Sequence, residues 1–162
     1  MKNLIVFLII VGAVIFLYKK FDKPKPILNP VYGEARVTIG DLNPIEMVIY
    51  TAAADEKECQ EQLRLLKMSL PKSVTDSCPG PTCKIGKLEC KNELARRHLK
   101  LFDNEPTFVA YISLAPGASD EREMRIIYWG LPAEMSNQIC DSIPEFRANG
   151  WKGKIRCIQA AN

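Results

Sequence analysis

The sequence predicts an α+β domain, a two-layer sandwich with helices on one face of a mostly antiparallel sheet. Three observations carry this. EARVTIG (34–40), IEMVIYTA (45–52), TFVAYISL (107–114) and REMRIIYWG (122–130) are rich in β-branched and aromatic residues and read as strands. Stretches of helical periodicity lie between and after them. From residue 83 onward the order is β-α-β-β-α-β, the pattern of a ferredoxin-like core, here preceded by one extra hairpin and one helix.

Taken in order, EARVTIG and IEMVIYTA form a hairpin around the turn DLNP (41–44). ADEKECQEQLRLLKMSL (54–70) is helical. Its acids Asp55, Glu56, Glu58 and Glu61 suit the positive end of the helix dipole, Cys59, Leu63, Leu66 and Leu70 form one apolar stripe, and Pro71 ends the helix. CPGPTC (78–83) is a loop and KIGKLEC (84–90) a short strand. KNELARRHLKLF (91–102) reads as a helix with Leu94, Leu101 and Phe102 on its inner side. TFVAYISL places Phe108, Ala110, Ile112 and Leu114 on one face and pairs with REMRIIYWG. Pro132 opens a helix over 132–143, and Pro144 closes it. WKGKIRCI (151–158) is the last strand, with Trp151, Ile155 and Cys157 on one face. No internal repeat stands out by eye.

Residues 4–18, LIVFLIIVGAVIFLY, carry no charge. As a helix they span about 22 Å, short of the roughly 30 Å hydrocarbon core, and Lys2, Lys19 and Lys20 can reach the headgroups to close the gap. A cleaved signal peptide fits less well, because YKKFDKPKP follows without a small-x-small cleavage site. The expected organisation is a transmembrane anchor (1–21), a Pro/Lys-rich stalk (22–33) and an extracytoplasmic domain (34–162). The lysines after residue 18 favour a cytoplasmic body by the positive-inside rule. Six cysteines favour the oxidising side, and the body is placed there, against the lysine count.

Composition excludes some partners. The net charge is +3. Residues 1–25 hold five lysines and one aspartate, a net +4, which leaves the remaining 137 residues at −1. With no basic face, no nucleic-acid partner is expected. The lipid bilayer, met through residues 4–18, and a protein of the envelope are the expected partners.

The cysteines are the sharpest chemical signal. Cys78, Cys83 and Cys90 follow C-x4-C-x6-C, which lacks the paired spacing of a zinc site, and no redox C-x-x-C occurs. Three disulfides are expected. Cys140–Cys157 is the favoured pair, because a helix over 132–143 packs back on the following strand. Cys59, Cys78, Cys83 and Cys90 pair among themselves, with Cys59 bonding into the 78–90 segment.

No catalytic, cofactor or metal residue is assigned, and no enzyme activity is expected. His98 is the only histidine, so any triad must use it. It follows Leu94 by four and precedes Phe102 by four, which suits a packed ring. ADEKE and SDERE read as a helix start and a turn, not as paired catalytic carboxylates. Trp129 and Trp151 read as core, with an exposed partner anchor as the alternative. The expectation is a single-pass protein of the inner membrane of a bacterial-type envelope, with a periplasmic domain acting as a protein-binding, accessory or assembly module. The alternative is a thiol-based redox or metal-binding domain using Cys78, Cys83, Cys90 and His98.

Overall fold

A computed structural model describes residues 24, 26–40, 44–77, 83–131 and 133–161. The expected anchor, with its apolar run 4–18, lies outside the described residues. Among the described residues no helix is long and apolar enough to cross a membrane. The strands are β1 (Val31–Ile39), β2 (Ile45–Ala53), β3 (Cys83–Lys91), β4 (Tyr111–Leu114), β5 (Met124–Trp129) and β6 (Ile155–Ile158). Helix α1 (Glu56–Ser77) follows β2, and α2 (Arg96–Phe102) follows β3. Between β5 and β6 run α3 (Ala133–Ser136), a 3-10 segment (Asn137–Ser142) and α4 (Ile143–Ala148).

The expected α+β class holds. One six-stranded sheet has the order β3-β1-β2-β5-β4-β6, and its pairs are antiparallel. β2 lies inside the sheet, and it is buried from Met47 through Ala53 without a break. A strand buried at consecutive positions is covered on both faces.

Two parts of the expectation are corrected here. A ferredoxin-like core is also antiparallel throughout, but it sets its first strand between its fourth and its third, which here would place β3 between β6 and β5. Instead β3 sits at one edge on β1, and β6 sits at the other edge on β4. The hairpin taken as an extra supplies the reason: nine-residue β1 has a second open side, and β3 fills it along nearly its whole length. The helices also do not share one face. Cys59 and Leu63 of α1, with Ile139 of the 3-10 segment, pack against Ala35, Val37, Ile49, Ile112 and Ile126. Leu101 and Phe102 of α2 pack on the opposite face, against Val48, Tyr50, Tyr111 and Ile127. Consecutive apolar residues of β2 and β5 supply both faces: Ile49, Ile126 and Tyr128 face the first core, and Val48, Tyr50 and Ile127 the second.

Smaller corrections concern boundaries. β1 begins at Val31, inside the expected stalk. α1 runs through Pro71 to Ser77, so the proline costs a backbone hydrogen bond without ending the helix. α4 likewise contains Pro144. β4 begins only at Tyr111, which leaves Phe108 92% exposed instead of facing the core.

The strand order discloses an internal repeat that was not recognised in the sequence. β1-β2-α1-β3 and β4-β5-(α3, 3-10, α4)-β6 are two ββαβ units, each with its first strand in the middle. An offset of 77 residues (112 less 35, 126 less 49) carries the pair Ala35↔Ile49 onto Ile112↔Ile126. Ile49 and Ile126 also face each other where β2 meets β5. A pseudo-twofold axis therefore passes through that pair, normal to the sheet, and it leaves both helical segments on one face. Two echoes in the sequence match it. Glu46-Met47-Val48-Ile49 corresponds to Glu123-Met124-Arg125-Ile126, and Gly86-Lys87-Leu88-Glu89-Cys90 corresponds to Gly153-Lys154-Ile155-Arg156-Cys157.

Candidate functional site

The cysteines belong to this repeat. Cys59 in α1 is bonded to Cys90 in β3, Cα to Cα 6.1 Å, and Cys140 in the 3-10 segment is bonded to Cys157 in β6, Cα to Cα 5.4 Å. In each unit a disulfide ties the helical segment to the third strand. The closed loops span 31 and 17 residues. In the chain-entropy picture they contribute about 4 and about 3 kcal/mol. Cys59 is fully buried, beneath the helix stripe that the spacing had indicated. Cys83 opens β3 opposite Ile39, and Cys78 lies outside the described residues. Among the described residues no cysteine is free, and no group of three His, Cys, Asp or Glu is placed to hold a metal ion.

The second face of the sheet carries the buried charge. Glu34 on β1 is 1% exposed, and its carboxylate meets Lys91 Nζ at 2.5 Å and Arg36 Nε at 2.5 Å. Arg36 also meets Glu46 at 2.9 Å, and Lys91 contacts Glu89. Burial pushes the Glu34 carboxyl up, but its hydrogen bonds to Lys91 and Arg36 outweigh this and hold it below the usual carboxylate range.

His98 stands over this network on α2. It is 8% exposed, and its ring lies 5.0 Å from the ring of fully buried Tyr50. Burial, reinforced by the adjacent Arg97 charge, lowers its pKa below 6.5. The Arg97 Nε–H donates to His98 Nε2 at 3.2 Å. The imidazole is therefore neutral at pH 7, with its proton on Nδ1. The Tyr50 hydroxyl has no hydrogen-bond partner among the described residues, and burial raises its pKa well above 10, so it can donate but does not ionise. Arg36, Glu46, Arg97, His98 and Trp129 line a cleft of about 230 Å³. It offers hydrogen bonds and a guanidinium, but its lining holds no hydroxyl or thiol nucleophile. The expected packing of His98 is found.

The residue that fixes this arrangement escaped the sequence reading. Arg125 on β5 is 1% exposed. Its guanidinium donates to the carbonyls of Leu101 at 2.6 Å and Phe102 at 3.0 Å, the last carbonyls of α2. It also donates to Met124 O at 2.9 Å, meets Glu123 Oε1 at 2.5 Å, and lies 4.8 Å from the Phe102 ring centroid. A cation at a helix C-terminus satisfies orphan carbonyls and opposes the dipole. Arg125 thus clamps α2, and with it His98, to the sheet. The available signal was its parity: Arg125 alternates with Ile126 and shares a face with Ile127 and Trp129.

On the other face the acid of SDERE has a structural role. The Glu121 carboxylate accepts from the backbone N–H groups of Gly117 (2.6 Å), Ala118 (3.3 Å), Lys152 (2.5 Å) and Gly153 (3.1 Å). It joins the β4–β5 turn to the approach of β6. A Cβ on Gly117 would come within 2.5 Å of the Gly153 backbone, so this junction requires glycine. Trp151 closes it, donating from Nε1 to Ala115 O at 3.1 Å.

No protein-family model matches the chain, and no curated protein and no solved structure is detectably similar to it.

Proposed function

We propose that this is a single-pass, membrane-anchored envelope protein, held by residues 4–18, whose extracytoplasmic domain binds another protein as an accessory or assembly module. The observation that carries the reading is the set of large apolar side chains standing in solvent on a covalently stapled domain: Phe108 at 92%, Met68 at 65% and Leu65 at 51% exposure. Leu65 and Met68 stand one turn apart on α1, and contiguous exposed apolar surface of this kind marks interaction sites. The two disulfides support an oxidising compartment, and the apolar run with flanking lysines supports the anchor. The thiol or metal alternative draws no support from Cys90, which is committed to buried Cys59.

The test is a thiol count by intact mass on protein solubilised from membranes, with a reporter fused after Asn162. The expected result is six cysteines that alkylate only after reduction and a reporter active only outside the cytoplasm. Free thiols with bound zinc would replace this reading with the metal-domain one.

A further inference from the structure

A second cavity, of about 250 Å³, lies between α1 and the β4–β5 turn. Its walls include Thr51 and Met124 from the sheet, Gln62 and Leu66 from the helix, and Trp151. The fold leaves polar groups unspent there. Thr51 is 1% exposed, yet its hydroxyl has no hydrogen-bond partner among the described residues. The amide nitrogen and the amide oxygen of Gln62 are both buried, and neither has a partner among the described residues. Buried polar groups in native proteins are almost always satisfied, by protein or by ordered water, so three such atoms on two residues that line one cavity mark a place where water, or a ligand that displaces it, completes their hydrogen bonds.

The chemistry selects the ligand. A side-chain amide with an open N–H and an open C=O is the complement of a peptide unit, which presents one C=O and one N–H. The volume is below the roughly 300–1,000 Å³ of small-molecule sites and suits a single side chain. Exposed Leu65 stands in the cavity's wall, and exposed Met68 extends the apolar surface along α1 beyond it, as a longer ligand requires. Charge adds a further term. Among the charged residues lining the cavity, Glu121 is held by four backbone N–H groups and Arg122 is paired with Glu58 at 2.5 Å. Asp120 is exposed and makes no ion pair among the described residues.

We propose that this cavity captures a short segment of a protein partner. An apolar side chain inserts beside α1, its peptide group pairs with the Gln62 amide, and a neighbouring Lys or Arg faces Asp120. This rests on the binding-module reading and assigns it a place.

The test is a titration of the full chain, 15N-labelled in detergent micelles, with the blocked peptide acetyl-Gly-Leu-Lys-Gly-amide. Saturable shifts of the Trp151 indole and Gln62 side-chain amide signals are expected. Replacing the peptide's leucine by alanine weakens binding about tenfold or more, and replacing its lysine by glutamate weakens it less. Gln62→Leu removes orphan atoms, so it leaves the melting temperature unchanged or raised while abolishing the response. Shifts that do not saturate, an alanine peptide that binds as well, a Gln62→Leu chain that still binds, or N-methylacetamide binding as tightly as the peptide each overturn the proposal. A photoreactive residue at Leu65 or at Phe108 in cells separates the two levels. Cross-linking from Phe108 alone overturns the cavity assignment and leaves the binding role standing. Silence at both positions and in the titration overturns both.

Discussion

The two ββαβ units share a frame and differ in what they bury. The first has three nine-residue strands and a 22-residue helix. The second has strands of four, six and four residues, and its helical segment breaks into α, 3-10 and α pieces. Both keep a helix-to-third-strand disulfide on one face. On the other face they diverge in sign: the first unit buries the carboxylate Glu34, and the second buries the guanidinium Arg125. At the equivalent positions, 77 residues on and 77 back, stand Tyr111 and Val48. The lesson is that a repeated frame is held by shape and covalent staples, while each unit's second face was free to acquire its own polar role.

Removing the staples tests the frame and gives the largest effects. Cys59→Ala with Cys90→Ala should cost about 4 kcal/mol, and Cys140→Ala with Cys157→Ala about 3 kcal/mol, by urea unfolding of otherwise oxidised chains. Equal losses would remove the role of loop length in the comparison. Arg125→Met should cost about 3 kcal/mol, because it strands the Leu101 and Phe102 carbonyls. Faster amide exchange confined to α2 and its surroundings would locate the damage on the second face.

Glu34→Gln should cost about 2 kcal/mol by leaving Lys91 and Arg36 without their shared carboxylate. It carries a pH signature. The folded-state pKa of Glu34 is depressed, so its contribution is complete above the unfolded value of about 4.3 and is lost as the pH falls through the folded value. The variant should therefore lose stability less steeply below about pH 4.3 than the parent. His98 gives the smallest effect. Its folded pKa is also lowered, so the folded chain binds fewer protons than the unfolded chain. Stability is complete above about pH 6.5 and declines as the pH drops from there toward the folded value. His98→Phe should flatten this decline, an effect of about 1 kcal/mol or less. A parent chain with no pH dependence between 4.3 and 6.5 would contradict a buried neutral imidazole.

The elements of the fold were legible in the sequence because hydrophobic period reports burial directly. So was the Cys140–Cys157 pair, since consecutive elements pack together, and so was the link from Cys59 to the 78–90 segment. The pairing of strands was not. Edges compete through backbone hydrogen bonds, which carry no side-chain signature, so the capture of β3 by β1 left no local mark. The face chosen by α2 was hidden for a related reason: a strand covered on both sides loses its alternation, and β2 reads as apolar throughout. Arg125 was not singled out because its partners are mostly main-chain carbonyls, which leave no side-chain pattern in the sequence. The repeat was visible in GKLEC and GKIRC, but helical segments of different length between the strands shift the two copies out of a single period. The charged cleft around His98 brings together residues from β1, β2, α2 and β5, and no spacing rule reaches across those distances.

The placement of the two staples also bears on the order in which the chain matures. Each bond closes within its own unit. The first unit is complete at Lys91, before any strand of the second has been made. Six cysteines sampled together allow fifteen full pairings, but four followed by two allow only three. A chain that meets an oxidant as it emerges from its N-terminus can settle its first linkages before the last two cysteines arrive to compete. The seam between β2 and β5, which joins the two units, must wait for residue 129.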